Sequence, residues 1–151
     1  MKNKILPILG LFILSLFFFN CHKDNNNNPP PKTKTELITQ STWKLSTVSA
    51  AGFGDITAQI PACYKDNIYT FASNGSGSVN ESTTVCSPTT AGPFTWSFMN
   101  NETTLHISTT LFTGGSSDFS LVTLNETNLV ISQVMTIAPL PSTTVTFTFI
   151  H

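Results

Sequence analysis

The sequence contains no arginine, and only 10% of its 151 residues are charged. Beyond Cys21 there are five lysines against eight acids, a net charge of about −3. A chain with no basic patch lacks the electrostatic footprint of a nucleic-acid binder. Histidine is scarce: His22, His106 and His151 share no motif spacing. No Ser-His-Asp set can be assembled from them. There are only three cysteines and no Cys-x-x-Cys. A tetrahedral metal site needs more ligands than these offer. The acids Asp55, Asp66, Glu81, Glu102, Asp118 and Glu126 fall mostly in loops and turns. Their spacing does not indicate the facing carboxylate pair of a glycosidase. These shortages leave no catalytic residue, no metal and no cofactor to name, and predict a protein that is not an enzyme. An exposed strand position is the bland reading of His106, and an enzymatic one needs it to face a cleft beside an acid.

What is abundant is Thr, Ser and Asn. That composition, with few charges, suits an extracytoplasmic β-protein, and such a compartment permits a disulfide. The N-terminal residues point the same way. Lys2 and Lys4 precede an apolar run from Ile5 to Phe19. About fifteen residues is short for a membrane-spanning helix, which needs roughly 20. The pattern predicts a secretory signal over residues 1–20, with a short anchor helix as the alternative. Cys21 follows, then the polar run His22-Lys23-Asp24-Asn25-Asn26-Asn27-Asn28. This resembles a bacterial lipobox, in which the cysteine is lipidated, although Asn20, Phe19 and Phe18 stand before it rather than small residues. Looser lipoboxes of this kind resemble those of Bacteroidetes lipoproteins. Ordinary cleavage that leaves a free cysteine is the other reading. Parity favours lipidation: if Cys63 bonds Cys86, one cysteine is left over. The implied location is the cell envelope, as an outer-membrane lipoprotein held through Cys21.

Residues 21–34 are Asn-rich and then Pro-rich (Pro29-Pro30-Pro31). Such a stretch buries too little to order itself and serves as a tether. Residues 35–151 form the expected domain. Thr35 to Thr39 suit one short helical turn. Two-residue alternation then dominates, the signal of strands. Ser41 to Ala50 is the first strand, with Trp43, Leu45 and Thr47 on one face. Asn67 to Ser73 and Ser78 to Val85 flank Asn74-Gly75-Ser76-Gly77, residues that tolerate a hairpin turn. Further strands are centred on Trp96, on Leu105 to Ile107, on Asp118 to Leu124, on Asn128 to Thr136 and on Thr143 to Ile150. Ala51 to Pro61 is expected to be a loop.

Eight strands with short connections predict a meander. Closing it into an up-and-down barrel removes the exposed edges; a two-sheet sandwich has the same periodicity. An eight-stranded barrel has an interior just wide enough for packed side chains or one small ligand. Cys63 to Cys86 brackets the weakest hairpin, and a structural disulfide across its open end is favoured over a metal or redox pair. Trp43, Phe71, Phe94 and Trp96, with Phe98, Phe119, Phe147 and Phe149, are either core or the lining of an apolar pocket.

Trp43-Lys44-Leu45, Cys63-x-x-Asp66-Asn67 leading to Phe71, Asn74-Gly75, Cys86, Trp96 and the closing Thr146-Phe147-Thr148-Phe149 resemble the lipocalin-like domains of secreted and lipid-anchored bacterial proteins. The resemblance covers roughly residues 36–150. It implies a small β-barrel and leaves the ligand unnamed. Two roles follow: a carrier of a small apolar molecule, or a surface interaction module with a packed core and no such ligand. Interior volume separates them.

Overall fold

The structure, a computed structural model, describes residues 29–151. The expected signal, Cys21 and most of the expected tether lie outside the described residues. Nine strands alternate along the chain: β1 Trp43–Ala50, β2 Gly54–Asp55, β3 Ile68–Phe71, β4 Ser76–Asn80, β5 Gly92–Met99, β6 Thr104–Ile107, β7 Asp118–Leu124, β8 Asn128–Met135 and β9 Thr143–Ile150. All pairings are antiparallel, and β9 returns to pair with β1. The expected eight-stranded, all-β up-and-down barrel is therefore the ring β1-β3-β4-β5-β6-β7-β8-β9. The ninth strand, β2, lies within the stretch expected to be a loop. It folds back on Ser49 and Ala50.

The ring is thinnest at the β1–β3 seam, where only Trp43 and Lys44 find partners, in Tyr69 and Ile68. Further along β1, the seam is filled from the following segment. Val48 N–H donates to Thr57 Oγ1 at 2.8 Å, and Ile56 N–H donates to Val48 O at 2.9 Å. Ile56 and Ile60 are buried there. The backbone groups of Val48 are thus satisfied by a loop where a neighbouring strand is missing.

Alternation holds best in β9. Val145, Phe147 and Phe149 are buried, while Thr144 is exposed and Thr146 and Thr148 are half-buried. In β1 the expected face changes partway. A bulge lies between Leu45 and Thr47 opposite β9. The extra residue reverses the parity of the strand. Thr47 points outward, and Val48 and Ala50 become the buried positions. The expected return strand Ser78 to Val85 is also corrected. Asn74 Oδ1 accepts the Ser76 backbone N–H at 3.0 Å and its hydroxyl at 2.7 Å, which closes the turn early. Ser76 and Gly77 therefore belong to β4. The strand stops at Asn80, whose Oδ1 accepts Ser82 N–H at 2.8 Å, and Ser82 is left-handed at φ 51°. Val85 ends 68% exposed instead of paired. Gly77 sits against the Phe94 ring, and a Cβ there would collide with Phe94 Cε2.

The connections alternate between the two ends of the barrel. One end carries the helix α1 (Lys34–Thr39) and the turns at 72–75, 100–103 and 125–127. α1 begins with a capping box between Thr33 and Glu36. It presents Ile38, fully buried, to Trp43, whose indole N–H donates to Ile38 O at 2.8 Å. His151 lies on the Trp43 ring, centroids 4.0 Å apart, with Nε2 2.8 Å from Glu126 O. The other end carries the helix α2 (Ala62–Lys65) and the long loops 81–91, 108–117 and 136–142.

Candidate functional site

The barrel axis is filled. Trp43, Tyr69, Phe71, Ile107, Leu129 and Phe149 converge there, and the gap between them admits no water molecule. Leu111 closes this gap from above. It belongs to the 108–117 loop, so part of the core comes from outside the sheet. Phe94, Trp96 and Phe119 are likewise core, and Phe98 is half-buried beside Trp96. Of the eight aromatic candidates, Phe147 lines a cavity of usable size.

That cavity has a volume of about 440 Å³ and opens at the long-loop end. Three segments build it. Gln59, Ile60, Pro61 and Tyr64 come from the segment that fills the β1–β3 seam; Phe112, Thr113 and Gly114 come from the β6–β7 loop. Met135 to Ala138, at the end of β8, complete the wall, with Phe147 as the floor. Phe112 stacks flat on Phe147, centroids 4.1 Å apart and planes 6° from parallel, and Tyr64 leans on Phe112 at 5.7 Å. The lining includes no Lys, Arg, His, Asp or Glu. Its polar groups are Gln59, Tyr64, Thr113 and Thr136. Tyr64 Oη and Thr113 Oγ1 lie 2.9 Å apart and bridge two of the walls. Phe112, Met135 and Ile137 were not singled out from the sequence. The nearest signal for Phe112 is a Leu-Phe pair just before Gly114-Gly115, in a segment whose alternation is broken.

The wall holding Tyr64 is fixed by its neighbours. Cys63 is bonded to Cys86, with Cα atoms 5.2 Å apart. The bridge runs from α2 to the 81–91 loop, so it ties the mouth rather than two strand ends. Asp66 Oδ2 accepts from the Thr83 hydroxyl at 2.8 Å and from the Thr83 and Thr84 backbones at 3.2 and 2.8 Å. These bonds, the Thr83 hydroxyl first, hold its carboxyl below its usual range. Glu81, 5% exposed, accepts from Thr89 Oγ1 at 2.6 Å, Thr90 N at 2.6 Å, Thr90 Oγ1 at 2.8 Å and Cys86 N at 3.3 Å. The Thr89 hydroxyl and Thr90 N–H lead in drawing its pKa down to about 2, because each donor favours the charged form. Asn67, fully buried, donates to Thr90 Oγ1 at 3.2 Å and links both sides of the network. Asp66 and Asn67 thus brace a loop as well as leading into β3. The Tyr69 hydroxyl lies deeper and lacks a well-formed hydrogen bond. Burial pushes its pKa up to about 12, against the opposing pull of the Asn67 side chain.

His106 does stand beside an acid: Nδ1 is 2.6 Å from Asp118 Oδ1. Both side chains lie on the outside of β6 and β7, 38% and 57% exposed, away from the cavity. Among the described residues no three His, Cys, Asp or Glu side chains gather where a metal ion could be held.

Among solved structures the chain is similar to Japanin from Rhipicephalus appendiculatus in an orthorhombic crystal form bound to cholesterol. Identity is 13%, the match covers 80% of this chain and 78% of that one, and the TM-score is 0.49. No curated protein matches the sequence. Residues 40–131, more than half of the chain, match the lipocalin-like domain, and the protein belongs to that family.

Proposed function

We propose that this protein is a non-enzymatic carrier or sensor of a small apolar molecule, held in the mouth of the barrel rather than along its axis. The observation behind this reading is the 440 Å³ cavity, whose lining is mainly aromatic and aliphatic. Sites for small molecules commonly have roughly 300–1,000 Å³ and a few fixed polar groups. A lipid on Cys21 would hold the carrier to the outer membrane within the cell envelope. The cysteine parity and the polar stretch after Cys21 support that placement.

The filled axis favours the second reading, an interaction module with no ligand. Uptake decides between them. Native mass spectrometry of protein purified from its own cells should reveal a co-purifying small molecule. Purified protein should also take up Nile red, a neutral apolar dye, and Ile137→Asp should abolish that uptake without unfolding the barrel. A folded barrel with neither a co-purified molecule nor dye uptake would favour the module. For the anchor, Cys21→Ser should shift the protein from the membrane fraction to the soluble fraction. Unchanged retention would rule the lipid out.

A further inference from the structure

The cavity has a polar group at only a few places, and one of them is a matched pair. Tyr64 Oη and Thr113 Oγ1 face each other at 2.9 Å from two different walls. Each hydroxyl has one proton and two acceptor lone pairs. Their mutual bond uses one proton and one lone pair. One proton and three lone pairs remain for a third partner. Below them the surface is apolar: Ile60, Phe112, Met135, Ile137 and Phe147. No charged side chain lines any wall. The pair stands at the solvent-exposed rim, but an ionised group carried down among the apolar walls has no counter-ion, and burial of an unpaired ion is strongly unfavourable.

Resting on the carrier reading above, we propose that the Tyr64–Thr113 pair is the polar anchor of the site, and that the ligand is an uncharged molecule with a flat or aliphatic body and a single terminal hydroxyl or carbonyl. The body packs against Phe112, Met135 and Ile137, with Phe147 buried beneath Phe112. The oxygen function completes the hydrogen-bond set at the rim. The pair is pre-positioned from both sides. Tyr64 is carried by α2, which Cys63–Cys86 and Asp66 tie down. The loop bearing Thr113 is held at Ser116, whose backbone N–H donates to Gln133 Oε1 at 2.7 Å. Anchors held in this way lose little freedom on binding.

The test uses three probes of one shape at pH 7: naphthalene, 2-naphthol and 2-naphthoate, each measured by displacement of bound Nile red. The expected order is naphthol tightest, then naphthalene, then naphthoate. Tyr64→Phe and Thr113→Val should each weaken naphthol by about five- to tenfold, the scale of one hydrogen bond, and leave naphthalene unchanged. Equal affinity for naphthol and naphthalene in the wild-type protein would overturn the anchor. So would a variant that weakens both probes alike, since the pair would then be only a latch between walls. Naphthoate binding as tightly as naphthol would overturn the preference for uncharged ligands. Failure of Nile red itself to bind would instead remove the carrier reading on which the anchor rests.

Discussion

The two ends of this barrel are closed by different chemistry. At one end a short helix lays Ile38 over Trp43, and the indole N–H is satisfied by the carbonyl of that same Ile38. The seal is apolar and tight, and Trp43 is fully buried. At the other end the loops are long and polar, and their order comes from a disulfide, two carboxylates and a set of threonine donors. That end retains a cavity. The contrast is physical: apolar packing fills space completely, whereas a hydrogen-bonded loop network can stand around an opening without collapsing into it. The closed end supplies stability, and the mouth supplies a shape.

Four perturbations separate the two ends. The largest effect is expected from Trp43→Ala, which empties the closed end. Removing a buried tryptophan costs about 3–5 kcal/mol, and chemical denaturation should report a loss of that size. Replacing the Cys63–Cys86 pair by serines should cost about 3 kcal/mol by the loop-entropy account. Hydrogen exchange should then rise most in α2 and the 81–91 loop, with little change at α1. If α1 loosens equally, the two ends are not independent.

Acid provides a gentler probe of the mouth. Glu81 titrates near 4.5 when unfolded and at about 2 when folded. Its contribution is therefore fully present above pH 4.5 and is lost as pH falls through 2. Asp66 is shifted in the same direction. Melting temperatures measured from pH 6 to pH 2 should fall over that window, and Glu81→Gln should flatten the fall. A slope unchanged in the variant would mean that Glu81 does not govern acid stability. The smallest effect is expected from Thr33→Ala, which removes the N-cap of α1 and should cost about 1 kcal/mol. Nile red uptake at the far mouth should not change.

Much of the barrel is legible in the residues because strand alternation is a local property. Thr143 to Ile150 repeats β-branched and aromatic residues at period two, and it pairs along its whole length with β8 and nearly as far with β1. The bulge at Ser46 is not legible, since no residue there requires it; it follows from fitting β1 to β9. The burial of Glu81 is also hidden. A glutamate after a strand resembles any surface acid until Thr89 and Thr90 fold over it. The aromatic residues were legible as core or pocket, and the choice between the two depended on a loop.

The sequence by itself determined an all-β chain of short alternating strands, a pair of cysteines bracketing one hairpin, and a composition poor in charge. It did so through short-range pattern, which acts within each strand. Closure into a ring came from the β1–β9 pairing. Only the tertiary structure decided that Leu111 and Phe112 leave their Gly-rich loop to pack into the barrel, so that its axis is full while its mouth stays open. Those contacts join residues distant in the chain, and their strength depends on the space left by neighbouring side chains.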